Sequence, residues 1–433
     1  MKAIDANMTF TPGQEIMEPD RFAGRRVNIG HAIKVLSRPG TSMLVYGDRG
    51  VGKSSFVEMV KLIAQDQVEL IYRYGFRRLV PASGFQYKVV SIQCDADTDS
   101  SEKVLQRLIT SPEGFASFIS ARINTIQKTK REKLGMSLLR GLFAFDTIEE
   151  QKVVLEEFKE ESIVELFTNI VQSVTNHILS PNEGLLIVID EFDKVTKKEK
   201  ISSLIKTLSK GKVKFLISGI AESYFDLVDD HPSIERQLYQ GKIEIQPMTA
   251  EDIAMLFEIA EGHNDGLVTF NKSFIDDVVA KSFGYPYYVQ LFGQLALDEY
   301  VDLHGKDVKG TITRDYFERA LRKFALHEPQ FERLYLSVVS NDPYRELMLK
   351  GLANDISRRI RQDQVFRYCS KRGMENPKNV LAQILSHKQP EVLIRMDRDT
   401  VTFKDSLFRI YAGSRNPDLL EMDEFIGLKI KSG

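Results

Sequence analysis

The sequence predicts an α/β protein whose parallel sheet is covered by helices, and two observations predict this fold class. Four short apolar runs are rich in branched residues and bounded by turn signals, as buried parallel strands are; they lie at 43–46, 89–92, 185–189 and 213–217. Helical patterns separate these runs, and the alternation is typical of a sheet with helices on both faces. We therefore expect an α/β core over 21–247, with a helical insertion at about 97–180.

The pattern changes after residue 247. Thr249 is followed three residues later by Asp252, which predicts a capped helix start. Amphipathic patterns then cover 249–262, 271–282, 285–302 and 312–325, which predicts an all-helical domain over 248–326. Residues 327–433 are expected to form three helices and then two strands, at 392–397 and 400–404, an order that suits a winged helix. Residues 1–20 are expected to form an N-terminal extension.

Length and composition indicate a soluble protein of several domains. The chain has 433 residues, a length that exceeds what one hydrophobic core usually serves. Its hydrophobic residues, 42% of the total, are enough to fill more than one core. The 59 Lys and Arg residues nearly balance the 61 Asp and Glu residues, so contact with nucleic acid would require a local basic patch. Two cysteines, no signal-peptide pattern and no apolar run of about 20 residues predict a cytoplasmic location without a membrane.

The segment LVYGDRGVGKSS, residues 44–55, contains a phosphate-binding motif. Glycines with a following Lys53 and Ser54 satisfy the spacing GxxxxGK and then Ser or Thr, between an apolar strand and a helix. Glycine lets successive backbone N–H groups turn towards phosphate oxygens, and the helix N-terminus adds further donors. We expect Lys53 to reach the β- and γ-phosphates and Ser54 to bind Mg²⁺. The expected nucleotide-binding residues are Gly47, Asp48, Arg49, Gly50, Val51, Gly52, Lys53, Ser54 and Ser55.

A pair of acids, Asp190 and Glu191, follows the apolar run at 185–189, at the expected carboxyl edge of the sheet. Asp190 is expected to hold Mg²⁺ directly or through water, and Glu191 to orient and deprotonate an attacking water. Two acids at a strand end can also form a solvated turn or a helix cap. Beside a phosphate loop, the pair favours hydrolysis of ATP over binding alone.

Two further side chains are candidates for the same site. Ser218 follows the apolar run at 213–217 and could contact the γ-phosphate or the attacking water, or simply close the strand. Arg236, in the segment DDHPSIERQL, could reach the nucleotide of a neighbouring subunit, or be a surface arginine. The first of these roles for Arg236 requires a homo-oligomer.

The segment ISRRIRQDQVFRYCSKRG, residues 356–373, carries a local excess of positive charge with Asp363 as its single acid. Contact with DNA is one explanation, with 376–388 as a recognition helix and the turn between the two strands as a wing. A solvated helix face or a surface for a protein partner is the alternative. The candidate DNA-binding residues are Arg358, Arg359, Arg361, Lys378, Asn379, Gln383, Lys388, Arg395 and Arg398.

Together, these motifs resemble the AAA+ and STAND groups of P-loop ATPases, close to the origin-recognition-type and archaeal-type ATPases with a C-terminal winged helix. The resemblance extends from RFAGRRVNI at 21–29 to DSLFRIYAG at 405–413 and includes GYPYYVQLFGQLA at 284–296. It implies that Gly24, Arg25 and Arg26 pack near the adenine. It also implies that Pro286 or its neighbours close over the nucleotide.

The sequence departs from these families at two places. Ser218 stands where many AAA+ proteins carry a sensor Asn, and Tyr287 and Tyr288 occupy the region where a sensor Arg often lies. Both departures favour a slow switch over a motor. The sequence thus predicts a Mg²⁺-dependent ATPase that binds ATP and ADP and contacts double-stranded DNA. The alternatives are a slow or non-hydrolysing scaffold with a protein partner, and a DNA-binding regulator whose nucleotide site is vestigial.

Overall fold

The computed structural model describes residues 4–116, 160–198, 201–209, 211–221, 240–327, 329–355, 357, 359–386 and 391–414. The chain divides into two compact units. We name them the sheet unit, Gly13–Met248, and the helical unit, Met1–Pro12 with Thr249–Gly433. None of the helices within the described ranges has the length and hydropathy that a bilayer span requires.

Where the sheet unit is described, it contains five strands, which are β1 (Met43–Gly47), β2 (Tyr87–Gln93), β3 (Gly184–Asp190), β4 (Val213–Ile220) and β5 (Lys242–Glu244). They form one parallel sheet in the order β2-β3-β4-β1-β5. The four predicted strands are confirmed, and so is the parallel α/β fold. Strand β5 was missed because its three residues include two charged ones and give no apolar run.

The register brings the ends of three strands to one edge. Val45 of β1 lies opposite Ser218 of β4, and Gly47 lies opposite Ile220. Ile189 of β3 lies opposite Ile217, so the next residues, Asp190 and Ser218, are at the same level. The phosphate loop and the acid pair therefore leave the sheet at the same edge, as expected for parallel strands.

Helices cover this sheet because alternate strand residues are apolar on both faces. The described helices are α1 (Ala6–Thr9) in the helical unit and then, in the sheet unit, α2 (Arg26–Ser37), α3 (Lys53–Ala64), α4 (Glu69–Arg73), α5 (Ser101–Thr110), α6 (Glu160–Ser173) and α7 (Ile201–Leu208). Helices α5, α6 and α7 share one apolar core with Leu185, Ile187 and Ile189 of β3. Helices α2 and α3 contact each other, and α3 also contacts β1, β3 and β4. Most of the predicted insertion at 97–180 lies outside the described residues.

A buried lysine stands at the amino end of β4. Lys214 is 1% exposed, and its Nζ donates hydrogen bonds to the carbonyls of Val35 at 2.9 Å, Thr41 at 3.0 Å, and Arg38. Burial lowers the pKa of Lys214 to about 8. These carbonyls belong to the end of α2 and the turn after it, so the ammonium satisfies acceptors that the helix end leaves open.

After residue 248, the helical unit contains the four predicted helices, which are α8 (Ala250–His263), α9 (Lys272–Ser282), α10 (Pro286–His304) and α11 (Arg314–His327). Thr249 and Asp252 form the expected capping box at the start of α8. The expectation of an all-helical domain was wrong, because β6 (Val268–Phe270) pairs in parallel with β7 (Gly310–Ile312). Each strand has three residues, too few to produce a periodic pattern in the sequence.

The first residues of the chain are part of the core of the helical unit. Phe10 is 1% exposed and packs edge-on against Phe257 and Phe270. A Cβ at Gly293 would lie 2.5 Å from the Phe10 ring, so the missing side chain of α10 leaves space for it. Thr9 and Asn264 exchange buried hydrogen bonds at 3.0 to 3.2 Å. The predicted extension over 1–20 is thus divided between the two units.

The C-terminal part of the helical unit contains α12 (Pro329–Val339), α13 (Pro343–Ala353), β8 (Ile360–Arg361), α14 (Gln362–Ser370), α15 (Pro377–Leu385), β9 (Leu393–Arg395), β10 (Thr400–Phe403) and α16 (Ser406–Ser414). The strands form an antiparallel sheet in the order β8-β10-β9. The sequence predicted three helices before the two strands, and the described residues of this part contain four helices and an additional strand there. Strand β8 has two residues and is defined only by its pairing with β10, so no local signal marks it.

Candidate nucleotide site

The phosphate loop runs from the end of β1 to the start of α3 and depends on glycine at three positions. Gly47, Gly50 and Gly52 have φ angles of 148°, 79° and 92°, a region that other residues rarely adopt. At Gly47, a Cβ would also lie 2.4 Å from the carbonyl oxygen of Ile245. The loop therefore needs both the backbone freedom of glycine and the close approach that glycine permits.

Lys53 is the first residue of α3, and its side chain folds back under the loop. The residue is 9% exposed, and its Nζ donates to the carbonyls of Gly47 at 3.1 Å and Asp48 at 2.7 Å. Burial lowers the pKa of Lys53, whereas the charges of Asp193, Asp190 and Glu191 raise it. The ammonium is therefore placed between the loop and the acids at the carboxyl edge of the sheet.

The two serines after Lys53 differ in their contacts. Ser54 is half-buried in the first turn of α3, where helix N–H groups have no intrahelical acceptor. The Oγ of Ser55 accepts a hydrogen bond from the backbone N–H of Ile16 at 3.0 Å. The structure thus assigns to Ser55 a contact with the segment before α2, which the sequence did not suggest.

The acid pair lies at the carboxyl end of β3, with Asp190 as the last residue of the strand and Glu191 directly after it. The Oδ1 of Asp190 accepts the N–H of Glu191 at 2.8 Å, and Glu191 itself has a φ of 54°. The carboxylate of Glu191 accepts a hydrogen bond from Lys194 Nζ at 2.5 Å. This bond to Glu191 raises the pKa of Lys194. Glu191 is therefore held at the sheet edge by a lysine three residues along the chain.

Asp193 is a site residue that the sequence reasoning missed. Its Oδ1 accepts the N–H of Ile220 at 2.7 Å, which joins the turn after β3 to the end of β4. Among the acids that raise the pKa of Lys53, Asp193 has the largest effect. The signal was present in the run Asp190, Glu191, Phe192 and Asp193, since a third acid follows the pair within two residues.

Glu15 is a second missed acid. Much of its side chain is solvent-exposed, yet burial of the carboxyl raises its pKa, and the charges of Asp190, Glu58 and Glu191 raise it further. The neighbouring Ile16 is the residue that donates to Ser55. No local pattern could have revealed Glu15, because it is far from these acids in the sequence.

Ser218 is fully buried within β4, and no hydrogen-bond partner for its Oγ is found in the part of the chain that the structure describes. It lies beside Val45 and at the level of Asp190, between the phosphate loop strand and the acid strand. Its proposed contact with the γ-phosphate stays a prediction. Arg236 lies outside the described residues.

The segment Gly24 to Arg26, which the resemblance places near adenine, makes other contacts in the structure. The Gly24 carbonyl accepts the Tyr74 hydroxyl at 2.6 Å. Arg25 is 7% exposed and donates to the carbonyl of Val51 at 2.7 Å and to that of Gln246. Arg26 donates to the Tyr74 carbonyl at 3.2 Å. Pro286 is the first residue of α10 in the helical unit.

Four of the candidate DNA-binding residues surround one cavity of about 880 Å³ in the helical unit, together with three aspartates. The lining charges are Arg361, Lys378, Arg395, Arg398, Asp363, Asp397 and Asp399. Arg361 is paired with Asp363, at 3.1 and 3.2 Å. The candidates outside this lining are Arg359, Asn379 and Gln383, which are exposed, and Arg358 and Lys388, which lie outside the described residues.

Comparison with known protein families supports the assignment of the parallel sheet and its phosphate loop to a P-loop domain. A family model described as the KAP family P-loop domain matches residues 26–218. No curated protein sequence matches the chain. The match and the parallel sheet confirm the predicted P-loop NTPase fold.

Three solved structures illustrate the likeness at low identity. The Walker-type ATPase PABY2304 of Pyrococcus abyssi is 13% identical, with 92% of this chain and 98% of that chain covered and a TM-score of 0.48. The ORC1 protein of Aeropyrum pernix in complex with DNA is 15% identical, with 93% and 95% covered and a TM-score of 0.43. The RuvB Holliday junction branch migration motor of Thermotoga maritima is 11% identical, with 90% and 95% covered and a TM-score of 0.39.

Proposed function

We propose that the chain is a Mg²⁺-dependent ATPase that acts as a nucleotide-controlled switch. The observation that carries this proposal is the position of Lys53, which is buried between the carbonyls of the phosphate loop and three acids at the sheet edge. A triphosphate bound in the loop would accept the hydrogen bonds of the Lys53 ammonium in place of the two carbonyls. Lys53 would then exchange neutral acceptors for charged ones, which form stronger hydrogen bonds.

The residues present fit a magnesium ion. Ser54 offers a hydroxyl and Asp190 a carboxylate, and hard oxygen donors are the ligands that Mg²⁺ prefers. When bound, the ion would neutralise charge on the β- and γ-phosphate oxygens. Asp190 is oriented for this role by the N–H of Glu191, which occupies its Oδ1 at 2.8 Å.

Glu191 is the residue best placed to activate water. A carboxylate serves as a general base when it lies within hydrogen-bond reach of the water that it deprotonates, and such a base contributes about 10² to 10⁴ in rate. In the structure, Glu191 Oε2 already accepts a hydrogen bond from Lys194 Nζ. This observation favours a second candidate function, a regulator that hydrolyses ATP slowly and signals to a protein partner by nucleotide occupancy.

The test is calorimetry with ADP and ATP in the presence of Mg²⁺, followed by phosphate release from the wild type and Glu191→Gln. We expect binding to be retained in Glu191→Gln and turnover to fall by about 10² or more. Unchanged turnover would contradict the role of Glu191. Turnover that depends on duplex DNA supports the first function, and turnover that stays low without and with DNA supports the second.

The proposal extends to the C-terminal part, which we propose is a winged helix that contacts duplex DNA. From α13 to β10 the order is helix, strand, helix, helix, strand and strand, as such a domain requires. Lys378, Asn379 and Gln383 are exposed on α15, while Leu381 and Ile384 are buried beneath them. Helix α15 can therefore present polar residues to a groove and keep its apolar side in the core.

Salt dependence distinguishes DNA from a protein partner at this surface. Binding through phosphates weakens steeply as salt rises, with a slope set by the number of contacts. We expect Arg359→Ala with Arg361→Ala to flatten that slope by about two units at most. Because Arg361 is paired with Asp363, a smaller change is expected from Arg361 than from a free cation. The native mass with ADP and with a non-hydrolysable ATP analogue would test for a homo-oligomer.

A further inference from the structure

We propose that Arg25 is a positioning residue that sets the shape of the phosphate loop before the nucleotide binds. This inference rests on the proposed function, since it concerns the same site. It differs from the role near adenine that the family resemblance implies for Arg25. The relevant contacts are made by the guanidinium, which bonds to two backbone carbonyls.

The guanidinium of Arg25 bonds to the loop and to the chain segment after β5. One nitrogen, Nη2, donates to the carbonyl of Val51 within the loop, at 2.7 Å. The other, Nη1, donates to the carbonyl of Gln246, shortly after β5. The preceding residue, Ile245, donates its N–H to Tyr46 at 2.8 Å, and its carbonyl oxygen packs against Gly47. Arg25 thus ties the second half of the loop to the chain that supports its first half.

The bond to Val51 also orients a donor. The carbonyl of Val51 and the N–H of Gly52 belong to one planar trans peptide group, so they point in opposite directions. Because the Val51 carbonyl points to Arg25, the N–H of Gly52 points away from the guanidinium. Gly52 has a φ of 92° and precedes α3, where inward N–H groups are the donors that a phosphate needs.

The chemistry of the position favours arginine. Arg25 is 7% exposed, and a buried guanidinium is costly unless its N–H groups have acceptors. Its planar fork can reach two carbonyls at once, whereas a lysine presents a single point charge. Arg25 also has a φ of 61°, a strained conformation for a residue with a side chain. The two hydrogen bonds of the guanidinium keep the Arg25 backbone in this conformation, which directs the side chain to the loop.

The experiment compares Arg25→Met and Arg25→Lys with Arg73→Met in the full chain. Arg73 is the matched control, because its Nη1 donates to the carbonyl of Phe22 in the same segment, at 3.0 Å, and Arg73 has no role in the proposed site. Amide hydrogen exchange of loop residues 48–53 is measured without nucleotide. Affinities for ADP and for inorganic pyrophosphate, each with Mg²⁺, are measured by calorimetry. Thermal unfolding checks that each variant is folded.

We expect faster exchange in the loop for Arg25→Met and about 10- to 100-fold weaker binding of both ADP and pyrophosphate, the effect of losing hydrogen bonds from a charged group. Arg25→Lys should lie between it and the wild type, and Arg73→Met should match the wild type. Unchanged exchange, or weaker ADP binding with normal pyrophosphate binding, would overturn the inference, since the latter indicates contact with the base. If the wild type binds neither ligand, the proposed function fails, and the exchange rates still decide the role of Arg25.

Discussion

The two ends of the parallel sheet each hold a buried lysine, and the two lysines have different surroundings. At the amino end, Lys214 is 1% exposed and donates to three carbonyls around the end of α2. At the carboxyl end, Lys53 is 9% exposed and donates to two carbonyls of the phosphate loop. Both ammonium groups thus are buried among backbone acceptors, and burial lowers the pKa of each.

The difference lies in what else surrounds each lysine. The charges of Asp193, Asp190 and Glu191 act on Lys53, whereas burial is the only cause of the pKa shift of Lys214. Lys53 also follows a loop with glycines at positive φ, a backbone conformation that can turn N–H groups towards an anion. In this protein, the buried lysine at the candidate ligand site is the one that acids and a glycine loop at positive φ accompany. Lys214 instead stabilises the end of a helix.

The largest expected effect comes from removing Lys53. Lys53→Ala should weaken binding of ADP and ATP with Mg²⁺ by on the order of a hundredfold or more, because the phosphates of both nucleotides lose a buried ammonium partner. Calorimetry measures this loss. Lys61→Ala on the same helix is the control, since Lys61 pairs with Glu58 at 2.5 Å and should bind nucleotide like the wild type. Equal affinity in both variants would contradict the comparison.

The next effect concerns stability. Lys214→Met should lower the free energy of unfolding by about 1–3 kcal/mol, because the buried carbonyls of Val35, Arg38 and Thr41 lose their donor. Urea unfolding measures the change. Nucleotide affinity, measured on the folded variant, should stay within about twofold of the wild type. A loss of affinity as large as that of Lys53→Ala would show that both ends of the sheet serve the ligand.

A smaller effect is expected at Lys194. Lys194→Met should release Glu191 from its ion pair and raise turnover by up to about fivefold, the equivalent of a partly exposed pair worth less than about 1 kcal/mol. Steady-state phosphate release measures it, with exposed Lys197→Met as the control. Slower turnover in Lys194→Met would instead show that the lysine supports the base.

A separate prediction concerns the pH dependence of Lys214. Its pKa is about 8 in the folded protein and 10.5 ordinarily, so between these values the unfolded chain binds a proton that the folded chain does not. Stability from this group therefore rises with pH across that window, by up to about 1 kcal/mol per pH unit. The difference in unfolding free energy between the wild type and Lys214→Met should grow from pH 8 to 10. A difference that does not change would show that the carbonyl bonds favour the ammonium as much as burial disfavours it.

The sequence by itself determined the elements that have local signals. The four long strands are apolar runs, the helices α8 to α11 are amphipathic, and the loop from Gly47 to Ser54 is a motif of fixed spacing. Asp190 and Glu191 were also found, since they follow a buried strand directly. In each case the physical cause lies within a few residues of the feature, so periodicity or spacing is sufficient to reveal it.

Tertiary structure decided the features that depend on distant partners. Strands β5 to β8 have two or three residues each and exist because of the strands beside them. The contact of Arg25 with Val51 and Gln246 joins residues up to 221 positions apart, and Glu15 approaches the acids at 190–191. A side chain bonds to the acceptors that the fold brings within reach, and those acceptors can be far from it in the sequence.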